Sequence, residues 1–345
     1  RAPAPPMSAE LRDAIETLIQ RQDLTSDRAD AAVEAIIGGA DPCQAAALLV
    51  LLKAKGETAA EIAGMVRAMR RHMLPVKPAV PCIDIVGTGG DGHHTVNIST
   101  AASVVAASCG AAVAKHGNRS VSSMCGSADV LEEVGISLTL KPDAIERCIG
   151  EAGIAFMFAP GFHPAMKNIV PVRKALGVRT VFNILGPLIN PAMCKRGVIG
   201  VYAPELVRIM ADALHQLGSE LIMVIHCQGL DELAPIGTAT VATVRPSGVE
   251  MSVLDPAELG FPPCSIADLK GGDRVSNAQS LRKVLAGQLP GPIADTVALN
   301  AGAGLYVSGV AQTILEGCEM AKAAIQAGTP LQTLDKWVKC SQAAA

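Results

Sequence analysis

CIDIVGTGGDGHHTVNIST, residues 82–100, decides how the rest of the chain is read. Ile83 to Gly87 form an apolar run of strand length, and GTGGDG (87–92) behind it satisfies G-x-G-x-x-G, the glycine fingerprint of dinucleotide-binding βαβ units. That fingerprint needs a tight turn whose third glycine opens the helix, and an acidic residue about 20 positions on. Neither is present. His93, His94, Thr95 and Val96 intervene before the helix start at Asn97-Ile98-Ser99-Thr100, and the next apolar run ends in Lys115-His116 where the acid should stand. No Gly-Lys-Ser/Thr follows, which removes the P-loop as well. What remains is an anion site: glycines that let backbone N–H groups approach negative oxygens, and the hydroxyls of Thr95, Ser99 and Thr100 at a helix N-terminus. An ordinary helix cap accounts for Asn97 and Ser99, but not for four glycines around Asp91.

Outward from this stretch the pattern repeats. IDIVG (83–87), AAVAK (111–115), ISLTL (136–140), IAFMFA (154–159), GVIGVYA (197–203) and LIMVIHC (221–227) are predicted strands, separated by helix-like segments such as SADVLEEVG and PELVRIMADALHQLG. Such alternation gives a mainly parallel sheet covered on both faces, with ligand loops at the carboxyl ends of its strands. Residues 8–74 carry no strand pattern and read as four short helices, two with explicit starts at Asp41-Pro42-Cys43-Gln44 and Thr58 to Glu61. Pro75, Pro78 and Pro81 mark a linker. The expected fold class is α/β: a small all-helical N-terminal domain, residues 8–74, and a larger α/β domain, residues 82–342, with a mainly parallel central sheet and a helical stretch from about residue 271.

Composition narrows the function. Half of the residues are hydrophobic but only 2% aromatic, so small aliphatic side chains must fill the core. A net charge of −3 and few stacking platforms argue against a nucleic-acid partner, and no apolar run approaches membrane-span length, AAALLVLL (45–52) being the strongest. Ten scattered cysteines without a C-x-x-C pair read as reduced, mostly buried thiols, and His93-His94 lack the spacing of a zinc site with Cys82 or Cys109. RAPAPP (1–6), proline-rich and acid-free, reads as the remnant of a targeting segment or of a cloning leader.

A second loop of the same type follows AAVAK. Lys115 and Arg119 supply positive charge, and Ser120, Ser122, Ser123 and Ser127 supply donors before a helix from about Ala128. Two adjacent phosphate-type loops suit a ligand with separated phosphates. Asp231-Glu232, in GLDEL after LIMVIHC, suit Mg²⁺ carried on substrate phosphates, although a solvated turn has the same composition.

VGTGGDG, TVNIST, KHGNRS, SSMCGSADVLEEVG, FAPGFHPAMKNIVPVRKALGVRTVFNILGPLINPA and GLDEL come in one order, and over residues 8–342 the chain closely resembles the anthranilate phosphoribosyltransferase family. The resemblance implies a nucleoside-phosphorylase-like α/β domain, a middle helical segment at about 163–190 that joins the N-terminal helices, and a homodimer through the helical domain. It implies transfer of a 5-phosphoribosyl group from phosphoribosyl pyrophosphate to the amino group of anthranilate, in tryptophan biosynthesis. Position by position, it implies that phosphoribosyl pyrophosphate meets Gly87, Gly90, Asp91, Thr95, Asn97, Ile98, Ser99 and Thr100 on the first loop. On the second it implies Lys115, His116, Gly117, Asn118, Arg119, Ser120, Val121, Ser122 and Ser123, with Ser127 nearby. Ser99, Asp231 and Glu232 match magnesium ligands. Gly87, His116, Asn118, His163 and Arg173 match the anthranilate side, where the Arg173 guanidinium is suited to a carboxylate. An aniline nitrogen is neutral at pH 7 and needs positioning rather than deprotonation, so no covalent nucleophile is expected of the protein.

Three other readings remain at this point. A pyrimidine nucleoside phosphorylase shares the fold, but KHGNRS and Arg173 argue against it. A nucleic-acid-binding relative would carry a basic surface, and a purely structural paralogue would have broken motifs. RTVFNILGPLINPA, FPPCSIADLKGGD and LDKWVK are most similar to forms of photosynthetic eukaryotes, which implies the plastid stroma, with the cytoplasm as the alternative.

Overall fold

The computed structural model describes residues 8–120 and 124–345. Four helices open the chain: α1 (Ala9–Ile19), α2 (Ser26–Ile37), α3 (Pro42–Lys55) and α4 (Ala59–Arg71). Ser8, Thr25, Asp41 and Thr58 each accept a hydrogen bond from a first-turn amide, and Thr58 with Glu61 closes a reciprocal capping box. Gln44 does not reciprocate with Asp41; its amide pairs with the backbone of Ser8 and ties α3 to the start of α1.

After the linker come β1 (Ile83–Gly87), α5 (Ile98–Ser108), β2 (Val113–Gly117), α6 (Ser127–Glu133), α7 (Pro142–Ala152) and β3 (Ile154–Phe158). Then follow α8 (Ala159–Phe162), α9 (Met166–Leu176), β4 (Arg196–Gly200), α10 (Glu205–Gln216), β5 (Leu221–Cys227), β6 (Ala239–Arg245) and β7 (Gly248–Leu254). Four helices close the chain: α11 (Arg274–Leu285), α12 (Pro292–Ser308), α13 (Ile314–Ala327) and α14 (Thr329–Ala343). The sheet order is β3-β2-β1-β4-β5-β6-β7, with β3 to β5 parallel and β6 and β7 antiparallel. The order reverses between β1 and β4, and such a switch point leaves a crevice beyond the strands' carboxyl ends.

One expectation is corrected. Ile136–Leu140 is not a strand. Ile136, Leu138 and Leu140 are buried and Ser137 N–H donates to Ser341 Oγ of α14, so the alternation reflects an extended segment laid under a helix rather than a sheet ladder. The β6–β7 hairpin has no counterpart in the sequence analysis; β7, at the sheet's edge, is largely exposed, although Val249, Met251 and Val253 alternate with Glu250 and Ser252.

The interior falls into two main clusters. In one, α5, α11, α12, α13 and α14 cover one face of the sheet around Trp337 and Phe156. In the other, α1 to α4 share a continuous core with α9, with Val181 to Ile189, with α10 and with Ile199, Ile222, Val224, Ala242 and Val244 of the opposite sheet face. Among the described residues no helix is long and apolar enough to cross a membrane.

Candidate active site

The glycine loop leaves β1 at the switch point, and the acid pair that follows β5 rises beside it. Gly89 N–H donates to Asp231 Oδ2 at 2.6 Å, and Ser99 N–H to Glu232 Oε1 at 3.2 Å. This approach requires glycine on both neighbouring strands. A Cβ on Gly87 would stand 2.3 Å from Asp231 Oδ2, and one on Gly200, at the end of β4, 1.5 Å from the Asp231 carbonyl. Gly200 escaped the sequence reading because its partner lies on a different loop.

Burial, then repulsion from Glu232 and Asp91, raises Asp231 well above the ordinary carboxylate range. Burial also lifts Glu232 to about 7 against the opposing pull of Lys115. Crowded, desolvated carboxylates with the Ser99 hydroxyl beside Glu232 are a donor set that a hard cation satisfies. No three His, Cys, Asp or Glu side chains converge as a metal cage among the described residues. A Mg²⁺ ion completed by substrate oxygens fits what is present.

Lys115 is not a solvated charge. It is 1% exposed, its ammonium donates to Ile85 O at 2.7 Å and lies 3.4 Å from Ser99 Oγ, and burial lowers its pKa against the attraction of Asp84 and Glu232. His116, next on β2, meets His163 with Nε2 to Nε2 at 3.1 Å, while its Nδ1 lies 3.2 Å from Gly186 O. Donation to that carbonyl fixes His116 Nε2 as an acceptor. His163 Nε2–H then donates to it, and the buried, unpartnered His163 Nδ1 carries a bare lone pair. Burial keeps both imidazoles neutral, depressing His116 to about 3 and His163 to about 4.

Behind this pair stand two residues the motifs did not single out. Asn190 Nδ2 donates to Asp84 Oδ2 at 2.7 Å and to Ala114 O at 2.8 Å, fastening under β1 and β2 the loop that carries Gly186. Burial raises Asp84 to about 6, partly offset by Lys115 and Asn190.

Asn97 joins the two phosphate-type loops instead of capping α5: its amide donates to Cys125 O at 3.2 Å and accepts from Asn277 at 3.0 Å. Thr95 forms a bridge with Lys270. Ser127 Oγ donates to Asn118 O at 3.1 Å, under a Gly117 whose Cβ would lie 2.4 Å from that hydroxyl. Ser120 N–H donates to Asp129. The Arg119 guanidinium is turned onto Asp129 and Glu132, both at 2.8 Å, and so its charge is already matched. Ile98 and Thr100 face the interior, each 1% exposed. Val121, Ser122 and Ser123 lie outside the described residues.

Arg173, in the last turn of α9, lies 5.9 Å from the Phe182 ring centre, and burial lowers its pKa. No carboxylate among the described residues is within ion-pair distance of it. Arg179, which the sequence reading passed over, donates to Gly90 O and stacks on Tyr202 at 4.6 Å.

Known proteins share this architecture. Residues 79–331 match the glycosyl transferase family, a/b domain, and residues 12–73 the glycosyl transferase family, helical bundle domain. The chain is 47% identical to an anthranilate phosphoribosyltransferase of Rhodopseudomonas palustris over 93% of its own length and 95% of the relative's. It is 43% identical to that of Trichlorobacter lovleyi, over 94% and 98%. The crystal structure of the Thermus thermophilus enzyme superposes with a TM-score of 0.91 at 43% identity, covering 96% of this chain and 99% of that one. The Saccharomyces cerevisiae enzyme in complex with PRPP and Mg superposes at 0.88 with 28% identity, covering 97% and 99%. With both profiles matched in order and curated relatives aligned over nearly their whole length, the chain belongs to the anthranilate phosphoribosyltransferase family.

Proposed function

We propose that this chain transfers the 5-phosphoribosyl group of phosphoribosyl pyrophosphate to the amino group of anthranilate, in tryptophan biosynthesis. A bond forms between the ribose C1 and the amine nitrogen as the bond to pyrophosphate breaks, and the nitrogen, cationic once bonded, gives up its extra proton to the departing pyrophosphate or to solvent. The observation that carries the reading is the junction of the glycine loop, the first turn of α5 and a buried acid pair at the sheet's switch point, with Lys115 beneath. Pyrophosphate lies along Gly87 to Asp91 and Thr95 to Thr100, and the phosphoribosyl end reaches Asn118, Ser120 and Ser127.

Asp231, Glu232 and Ser99 would hold Mg²⁺, which supplies positive charge to the departing pyrophosphate. The Gly89 and Ser99 amides rest on those carboxylates, and with a cation on the acids would be free to donate to substrate oxygens. Lys115 adds a fixed cation where negative charge builds in the transition state, in surroundings too dry to screen it. Arg173 takes the anthranilate carboxylate, supported by its lack of an ion-pair partner. The neutral His116–His163 pair lines the aromatic side without protonating the attacking amine.

A homodimer through the helical domain is part of the reading, supported by exposed Ile19 and Val50 on α1 and α3; sedimentation velocity tests it. A plastid location rests on sequence likeness, and organelle fractionation tests it. The decisive assay follows anthranilate fluorescence. It should fall only when phosphoribosyl pyrophosphate and Mg²⁺ are both added, and no loss with both present would defeat the reading, as would phosphorolysis of thymidine or uridine in its place.

A further inference from the structure

Arg179 stands two residues beyond Gly177, the C-cap of α9, and its guanidinium donates to the carbonyl of Gly90 at the middle of the glycine loop. The face of that guanidinium covers the Tyr202 ring at 4.6 Å. Among the described residues it has no ion-pair partner, so its charge is not consumed by the protein.

The loop needs such a partner. Gly89, Gly90 and Gly92 have φ of 71°, 80° and 79°, and His94 has φ of 54°, so the segment combines left-handed backbone with the high chain entropy of glycine. Its ends are tied down. Thr88 N–H donates to Gly200 O at 2.9 Å and its hydroxyl accepts from Tyr202 N–H at 3.2 Å; at the far end Val96 N–H reaches Leu269 O at 3.0 Å and Gly271 N–H reaches His94 O at 2.9 Å. Between these anchors the Gly90 carbonyl is held, among the described residues, by Arg179. The peptide is trans, so its carbonyl and the N–H of Asp91 point in opposite directions. Pinning the carbonyl therefore decides where the Asp91 N–H is aimed.

We propose that Arg179 is a positioning residue for phosphoribosyl pyrophosphate: it locks the Gly90–Asp91 peptide in its donating orientation and brings an unneutralised positive charge to the rim of the pyrophosphate site. A planar guanidinium can stack on Tyr202 and donate in its own plane at once, which an ammonium cannot. Arg179 also shares the segment from α9 to Thr180 with Arg173, yet the two serve different substrates. The assignment rests on the glycine loop being the pyrophosphate site.

Steady-state kinetics and calorimetric titration with Mg²⁺-pyrophosphate test it on the full-length chain. Arg179→Ala should raise the KM for phosphoribosyl pyrophosphate and the Kd for Mg²⁺-pyrophosphate about tenfold or more, as loss of a charged hydrogen bond does, and leave the anthranilate KM within about twofold. Arg179→Lys should recover part of the loss, keeping the charge without the stack, and Arg179→Gln less. Tyr202→Leu, which leaves the charge in place, should give a smaller rise of the same kind. Unchanged pyrophosphate binding in Arg179→Ala, or an equal rise in both KM values, overturns the assignment while leaving the function intact. A wild-type chain that binds neither Mg²⁺-pyrophosphate nor phosphoribosyl pyrophosphate overturns the reading of the loop and this assignment with it.

Discussion

Arg173 and Glu232 show how a single charge is spent in this site. Arg173 is a half-buried guanidinium with no acid to meet, so its removal should be felt mainly by a substrate that carries a carboxylate. Arg173→Ala should lower kcat/KM for anthranilate by roughly 10- to 100-fold, the range for a charge-assisted hydrogen bond, and leave the phosphoribosyl pyrophosphate KM nearly unchanged. Equal losses toward both substrates in steady-state kinetics would show that it holds structure instead. Glu232 is the opposite case, an acid whose burial destabilises its charged form and lifts its pKa from 4.5 to about 7. Between those values the folded chain keeps a proton that the unfolded chain has lost, so this residue's contribution to stability falls as pH rises from about 4.5 to 7. Metal-free Glu232→Gln should therefore melt above the wild type at pH 8 and lose that advantage near pH 4. Mg²⁺ with pyrophosphate should raise the melting point of the wild type alone. A variant that melts lower at pH 8, or gains equally from Mg²⁺, refutes the assignment.

Elements carry these residues to one place, and here the sequence was unevenly legible. β1 and β5 were predicted residue for residue, because buried parallel strands are nearly all-apolar runs with clear punctuation. The glycine loop, the Lys115 segment and Asp231-Glu232 were legible because each is a local cluster of chemically unusual residues. Ile136–Leu140 misled since alternating burial arises wherever an extended chain lies on a core, and periodicity says nothing about ladder partners. Gly200 and Asn190 were illegible for a different reason: their importance comes from Asp231 and Asp84, which reach them only through the tertiary fold. Gly200 yields a test at this scale. Its β4 position lets the Asp231 backbone cross with no room for a methyl group, and backbone cannot swing aside as a side chain can. Gly200→Ala should lower stability by about 1–3 kcal/mol, the usual range for overpacking, and displace the acid pair. Denaturant unfolding and Mg²⁺-dependent activity should both register it, and a variant with wild-type values in each would contradict the close crossing.

At the scale of the whole molecule, two family profiles meet in one chain, yet the hydrophobic interior does not divide where they do. Leu48, Leu52, Met65 and Met69 of the helical bundle share a continuous cluster with Val207 and Met210 of α10 and Val224 of β5, so the bundle is packed through α10 onto the sheet rather than tethered to it. Arg70 adds a polar seam: its guanidinium donates to Leu188 O at 2.8 and 3.1 Å in a buried setting that lowers its pKa. A shared core of this kind should unfold as one cooperative unit, and the chain contains its own reporter. Trp337, the single tryptophan, is fully buried on α14 in the other cluster, on the far face of the sheet from the bundle. Leu48→Ala, in the bundle's interior, should cost about 2–5 kcal/mol as core truncations of leucine do. At about 2.1 cal/mol/K per residue, that loss lowers the midpoint of a chain this long by roughly 3–7 °C. The shift should appear equally in Trp337 fluorescence and in far-UV circular dichroism, although the substitution touches nothing near the tryptophan. An early dichroism phase with an unmoved Trp337 midpoint would mean that the bundle unfolds by itself, and that the interface in which Arg70 sits transmits no stability to the catalytic domain.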